Sequence, residues 1–259
     1  MDVSTQLPGL ALSRTELFAA VLIVFAAAIV RGYSGFGFSM LAVTALSLLR
    51  PPAEIVPTVL LLEIAASVHL LPAVWRDVDW ASLRWLLLGT LVATPLGVAA
   101  LASVPADAMR VVVSLLVLVA TLLLWRGFAL RKIPGRGPTF ATGMVAGVLN
   151  GSAAIAGPPA ILFYFSSPAG VAVSRASLIT YFLGTDLMAA AVGAAYGLVT
   201  ATVVLRAGTL LLPLAAGVAV GNRRFVATPP ESFRRFVLIL LMLLSLLGLL
   251  RALHGGLSG

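Results

Sequence analysis

The sequence RGYSGFGFS, residues 31–39, interrupts a run of apolar residues that begins at Leu17. A second interruption, GVLNGSAAIAGPP at residues 147–159, divides another apolar run in the second half of the chain. Glycine and proline end one helical segment and allow another to begin in a new direction. The two interruptions therefore predict two broken helices, one in each half of the protein.

The composition places these broken helices inside a membrane. Of the 259 residues, 61% are hydrophobic and only 10% are charged, whereas a soluble domain carries about 25% charged residues. Apolar runs long enough for a hydrocarbon layer of about 30 Å recur along the whole sequence. Residues 1–259 are therefore predicted to form a single all-α, polytopic membrane domain.

The charges and the absence of cysteine exclude several other classes. Without cysteine there is no disulfide, thiolate metal site or cysteine nucleophile, and no metal site or cofactor is predicted. The net charge of +8 comes mostly from arginines in short loops. Such residues orient membrane proteins and meet anionic lipids, so nucleic acid is not an expected partner.

The chain is predicted to contain two repeats, at residues 15–126 and 139–253, joined by a linker at 127–138. Pro51 and Pro168, Val56 and Val173, and His69 and Asp186 share one spacing, and further matches follow in the same order. Each repeat is expected to hold four to five helical segments. The apolar runs are 16–31, 36–49, 55–74, 83–101 and 108–125, then 139–150, 155–166, 174–196, 202–220 and 234–252.

The loop charges predict the topology. With five segments per repeat, 11 of the 17 basic residues lie on one face and 5 on the other, while Arg31 lies at the first break. If residues 16–49 and 139–166 each crossed only once, this segregation would disappear. Since cytoplasmic loops are rich in arginine and lysine, five segments are favoured, with both termini on the outer side of a bacterial inner membrane. An odd number of segments inverts the second repeat relative to the first. Whether 36–49 and 155–166 cross fully or are re-entrant stays open.

Broken helices in inverted repeats are typical of transporters that bind substrate near the midplane. The backbone amides freed at each break need partners inside hydrocarbon, and a helix beginning there directs its positive dipole end at an anion. Close helix packing is the alternative role for such small residues. The predicted substrate-binding residues are Ser34, Gly35, Phe36, Gly37, Asn150, Gly151, Ser152, Gly157 and Pro158.

These paired glycine segments resemble the sulfite exporter TauE/SafE family over nearly the whole chain, from about Leu17 to Leu250. The resemblance implies an inner-membrane permease for sulfite, organosulfonates or related sulfur anions. The family's glycine motifs fall on Ser34, Gly35 and Gly37, and on Asn150, Gly151, Gly157 and Pro158. The chain departs from them in the interleaved Phe36 and Phe38, and in Ala156 where glycine is common.

Ionisable residues within or beside the apolar runs are the predicted coupling or gating residues, because such groups are costly in a membrane. His69 and Asp186 are repeat mates that could form a proton-sensitive pair. The alternatives are that His69 meets lipid headgroups, that Asp186 pairs with Arg31 and that Arg175 only orients its helix. The full set is Arg31, Glu63, His69, Arg175 and Asp186.

The sequence therefore predicts a permease that exports a small sulfur-containing anion by alternating access, with lipid and possible protons as partners. A proton- or cation-coupled uptake permease for another anion or a metal is the main alternative. An intramembrane serine protease using Ser34 and His69 is disfavoured, because the repeat mates of these residues, Asn150 and Asp186, cannot form a second dyad. Substrate identity, direction, coupling ion and a possible homo-oligomer stay open.

Overall fold

The computed structural model describes residues 9–34, 36–126, 134–165 and 170–225, together with seven positions between 239 and 250. The described chain is helical. Its α-helices are α1 (Arg14–Ser34), α2 (Phe38–Leu46), α3 (Pro52–Val74), α4 (Trp80–Ser103), α5 (Ala106–Trp125), α6 (Arg136–Ala153), α7 (Gly157–Phe165), α8 (Gly170–Ala195) and α9 (Ala201–Phe225).

Six of these helices are long and apolar enough to cross a membrane: α1, α3, α4, α5, α8 and α9. No β-strand occurs among the described residues. The prediction of an all-helical polytopic membrane protein is confirmed. The predicted segment 234–252 and residues 127–133 of the predicted linker lie largely or wholly outside the described residues.

Local sequence explains where the helices begin. At the start of α1, the Ser13 hydroxyl accepts a hydrogen bond from Glu16 N at 3.2 Å, while the Glu16 carboxylate accepts one from Ser13 N at 2.7 Å. This reciprocal pair satisfies two amides at the helix start. The Asp79 carboxylate similarly accepts hydrogen bonds from Ala81 N and Ser82 N at the start of α4.

Both predicted breaks are ends of helices in the structure. Gly37 precedes α2 with a φ of 91°, and Ala154 follows α6 with a φ of 55°. Both angles lie in the left-handed region, which glycine adopts at no steric cost and other residues adopt rarely. The short helices that follow, α2 and α7, have 9 residues each, or about 14 Å at 1.5 Å per residue.

Glycines hold two helix pairs in backbone contact. Helix α1 packs against α9, and α4 packs against α6. A Cβ atom on Gly221 of α9 would lie 2.1 Å from Ile29 O, and one on Gly143 of α6 would lie 2.1 Å from Leu86 O. Close approach through small residues is the usual means of helix association in a membrane.

One end of the helix bundle, here called the Arg50 end, joins the starts of α1, α3 and α9. Arg50 Nε lies 3.2 Å from Glu16 Oε1, and the Arg206 guanidinium donates to Leu10 O and to the Glu54 carboxylate. The chain therefore returns, through α2, to the end at which α1 began.

The opposite end, here called the Trp85 end, joins the starts of α4 and α6. The guanidinium carbons of Arg84 and Arg136 lie 5.9 Å and 5.7 Å from the centroid of the Trp85 ring. Ser82 near the start of α4 donates a hydrogen bond to the Tyr164 hydroxyl of α7 at 3.2 Å. Helix α7 therefore ends beside the start of α4, at the end of the bundle where α6 begins.

Substitution of Gly221 by alanine tests the role of this glycine packing. We expect Gly221→Ala to lower the free energy of unfolding by about 1–3 kcal/mol, since overpacking of a close contact costs about that much. Thermal unfolding of the purified protein in detergent measures the change. Gly208→Ala on the same helix is the matched control, because a Cβ atom there meets nothing within 4 Å. Equal melting temperatures for the two variants would contradict the role of Gly221.

Candidate functional site

The two helix breaks line one cavity. Its volume is about 20 Å³, which is room for about one water molecule. Gly37 and Ser39 line it from the first break, and Asn150 and the segment 154–157 line it from the second. The remaining described lining residues are Arg31, Met40, Glu63, Phe182 and Asp186.

Arg31 of α1 carries a positive charge into the interior of the protein. Its side chain is 1% exposed, and its Nη2 atom lies 3.0 Å from Glu63 Oε2 of α3. The same nitrogen donates a hydrogen bond to Ser67 Oγ at 2.8 Å, and the guanidinium lies 5.1 Å from the centroid of the Phe182 ring. Since an unpaired charge in hydrocarbon is very costly, Glu63 is what allows Arg31 to be buried.

Glu63 also occupies the N-terminus of α2. Its Oε1 atom accepts hydrogen bonds from Ser39 Oγ at 2.6 Å and from Ser39 N at 3.3 Å. A helix N-terminus stabilises negative charge through its free amides and its dipole. The position at which the sequence predicts an anion therefore holds a carboxylate of the chain itself, between Arg31 and the start of α2.

Asp186 of α8 meets the second break. Asn150 Nδ2 donates a hydrogen bond to Asp186 Oδ1 at 2.9 Å, and the two residues are 1% and 3% exposed. Phe182 and Asp186 are four residues apart on α8, which places them on one face of that helix. Arg31 pairs with Glu63, so the predicted alternative of an Arg31–Asp186 pair is not the arrangement observed.

The structure brings six of the predicted residues together at the cavity. They are Arg31, Gly37, Glu63, Asn150, Gly157 and Asp186. Ser34 ends α1, but its side chain and Gly35 lie outside the described part of the chain. Whether any of these residues binds substrate stays a prediction.

The other predicted residues whose side chains are described are not part of the cavity lining. A Cβ atom on Gly151 would lie 2.5 Å from Thr94 O of α4, so this glycine allows close helix packing. Ser152 donates to Val148 O of its own helix at 2.9 Å. His69 is exposed on α3, and Asp186 has Asn150 as its partner. Phe36 and Arg175 are partly buried, and Pro158 is buried.

Six residues of the described cavity lining were not predicted as site residues: Ser39, Met40, Ala154, Ile155, Ala156 and Phe182. Ser39 closes the first glycine motif, and a hydroxyl at the second position of a helix that follows a break is a signal that sequence can give. Phe182 carries no such signal, because one aromatic residue among many in apolar helices is not distinctive. Its position follows from the packing of α8 against α3.

These contacts define a polytopic helical membrane protein with a small polar cavity between the start of α2 and the end of α6. A model of the family described as sulfite exporter TauE/SafE matches residues 20–247. The chain belongs to this family, whose members are membrane transporters, and it is therefore a transporter and not an intramembrane protease.

A curated relative supports this assignment. A protein of Cupriavidus necator named "Probable sulfite/organosulfonate exporter TauE" is 28% identical over 208 residues, which cover 77% of this chain and 79% of the relative. No solved structure matches the chain.

The buried ion pair can be tested by a double-mutant cycle. Arg31→Met or Glu63→Leu alone should destabilise the protein by about 3–5 kcal/mol, because each leaves one buried charge without its partner. The double variant should lose clearly less than the sum, since it leaves neither charge. Unfolding free energies of the four proteins in one detergent provide the measurement. Losses that simply add would show that the two groups are not coupled.

Proposed function

We propose that this protein exports a small sulfur oxyanion, sulfite or an organosulfonate, through a site at the cavity between the two helix breaks. The observation that carries the proposal is that both breaks line one cavity together with buried Arg31. The family of the chain and the name of its Cupriavidus necator relative support the substrate class.

Arg31 is the proposed anchor of the anion. Its Nε atom is buried and donates no hydrogen bond among the described residues, so it has a donor left for a substrate oxygen. The amides at the start of α2 are the second group of donors. They now face Glu63, and an oxyanion in the cavity would share Arg31 and Ser39 with that carboxylate.

The second break contributes less backbone hydrogen bonding than the first. Pro158 and Pro159 occupy the first turn of α7, and proline has no amide hydrogen. We therefore propose that the α7 side supplies shape and the Asn150 side chain, while charge and backbone donors come from the α1–α2 side.

Alternating access by two inverted repeats is the proposed mechanism. The start of α1 and the segment after α2 both lie at the Arg50 end, whereas the start of α6 and the end of α7 lie at the Trp85 end. This is the arrangement expected for inverted repeats whose sites meet at the midplane. The pair α1 with α9 is the repeat mate of α6 with α4, and both pairs pack closely. Because the cavity holds about one water, the substrate must enter when the halves move apart.

Export follows most simply from the charge of the substrate. Moving an anion out of a negative-inside cell is downhill by about 2.3 kcal/mol per charge per 100 mV. A facilitator therefore suffices for export, whereas an uptake permease needs a coupling ion. We propose that the protein lies in the bacterial inner membrane.

Flux in proteoliposomes tests this function. With an imposed potential, sulfite and an alkyl sulfonate should move faster than in empty vesicles. Flux is normalised to folded protein, because Glu63→Gln leaves Arg31 without its counter-charge and destabilises the protein. The Glu63→Gln molecules that fold should keep anion flux, because a competing negative charge is removed. The double variant Arg31→Gln with Glu63→Gln should lose about tenfold or more, since hydrogen bonds to a charged group contribute about 1.5–3 kcal/mol.

The control for this flux experiment is Arg14→Gln, which changes an exposed arginine at the start of α1 and should transport as the wild type does. Absence of anion flux in the wild type would contradict the proposed function. Loss of transport in Glu63→Gln alone, with cation flux present in the wild type, would favour a cation-coupled permease instead.

The topology proposed for the inner membrane places the Arg50 end and both termini outside. Ser103 is exposed at the Arg50 end, and Gly137 is exposed near the start of α6 at the Trp85 end. Because the chain has no cysteine, Ser103→Cys and Gly137→Cys each give a single labelling site. In intact spheroplasts an impermeant maleimide should label the Ser103 variant alone, and in opened membranes it should label both. The reverse pattern would contradict this topology.

A further inference from the structure

The Asp186–Asn150 pair has an unused hydrogen-bonding atom on each partner. Asn150 Nδ2 donates to Asp186 Oδ1, but Asp186 Oδ2 and Asn150 Oδ1 are both buried and have no hydrogen-bond partner among the described residues. Both of these atoms are acceptors when Asp186 is ionised. Two buried acceptors without donors are costly to maintain in a membrane interior.

A single proton would satisfy both atoms. A protonated carboxyl group is a donor as well as an acceptor, and the amide beside it already donates from its nitrogen to the other carboxyl oxygen. A proton on Asp186 Oδ2 directed at Asn150 Oδ1 would complete a cyclic acid–amide pair with two hydrogen bonds. The charge of Asp186 changes from −1 to zero in this step, and the proton comes from water.

The charges around Asp186 favour the same state. Helix α3 contributes Glu63, whose negative charge is already paired with Arg31 of α1. The other helices that pack against α8 contribute no further cation to the described lining of the cavity. Outside this lining, the ionisable groups of the elements that pack against α8 are Glu54 and His69 on α3, Arg76, Asp77 and Asp79 between α3 and α4, Arg84 on α4, Arg136 on α6 and Tyr164 on α7, together with Arg175 and Tyr181 on α8 itself.

Among the residues that line the cavity, an oxyanion would therefore meet one arginine and two carboxylates if Asp186 were ionised. The partly buried Arg175 of α8 interacts electrostatically with Arg31 but is not part of this lining. The net charge of the site would be −1 before the substrate arrives, and repulsion of a further anion is strong where water is scarce. With Asp186 neutral, the site is balanced and Arg31 can attract the anion. This reasoning rests on the proposed function, because it requires that the substrate is an anion.

We propose that Asp186 and Asn150 form a proton-binding site, and that Asp186 is protonated when the substrate anion binds. The proton stays with the protein and is released to the side from which it came, so the anion crosses alone and its export is driven by the membrane potential. Asn150 is the positioning residue that holds the carboxyl group, and Asp186 is the residue that takes up the proton. The predicted partner His69 has no part in this pair, since it is exposed on α3.

The direct test is proton uptake by the purified wild-type protein when methanesulfonate is added in lightly buffered, sodium-free solution. Methanesulfonate keeps a fixed charge and releases no proton of its own near neutral pH. We expect about one proton taken up for each anion bound. The affinity should be highest at low pH and fall by up to about tenfold per pH unit as Asp186 loses its proton.

Two variants assign the effect to one residue. Asp186→Asn should bind methanesulfonate without proton uptake and with an affinity that no longer changes with pH. Asp107→Asn is the matched variant, because it neutralises an exposed carboxylate that does not line the cavity and should keep the pH dependence. If Asp186→Asn does not fold, the proton count of the wild type still decides the matter.

Binding of methanesulfonate without proton uptake would overturn the inference and leave the proposed function intact. Binding that requires added Na⁺ would also overturn it, because the two acceptors would then hold a metal cation. Persistence of the pH dependence in Asp186→Asn would show that another group takes the proton. Failure of sulfonates and sulfite to bind at all would count against the proposed function itself.

Discussion

The buried charge of Arg31 is the constraint on which the rest of the structure depends. A guanidinium inside a membrane protein needs a counter-charge and acceptors within the protein, and it finds them in Glu63 and Ser67 on α3. Glu63 in turn satisfies the start of α2 through Ser39. Three helices, α1, α2 and α3, are thus joined by one polar network, and the cavity lies beside it. Loss of either charge would free the other in a medium that cannot solvate it.

The glycines have two different structural roles, which the sequence alone does not distinguish. Gly37 permits the left-handed turn that lets the chain leave α1 and begin α2 at the cavity. Gly143 and Gly221, in contrast, let helices α6 and α9 approach α4 and α1 until backbones touch. Packing fixes the positions of the long helices, and the turns direct polar groups to the space between them. Small residues can therefore provide both close helix packing and, at the breaks, a place for a binding site.

Much of the fold could be predicted from the sequence, because the signals are long apolar runs and breaks of glycine and proline. The ends of helices α2 and α7 lie within a few residues of the ends of the predicted segments 36–49 and 155–166. The pairing of the charges could not be predicted. Glu63 and Asp186 are both lone carboxylates in apolar runs, and only the folded arrangement of α1 with α3 and of α6 with α8 gives Arg31 to the first and Asn150 to the second. Repeat mates also differ in packing. A Cβ atom on Gly89 would lie 2.1 Å from Phe140 O, whereas one on Gly208 would meet nothing within 4 Å.

The central claim is that an oxyanion binds where the two helix breaks meet, held by Arg31. Selenite has the shape and charge of sulfite, and its selenium atom scatters X-rays anomalously. Crystals of the protein grown with selenite would locate the anion without reference to any transport assay. The account predicts a selenium peak between the first turn of α2 and Asn150, within hydrogen-bonding distance of the Arg31 guanidinium. A bound selenite elsewhere in the protein, with none beside Arg31, would contradict it.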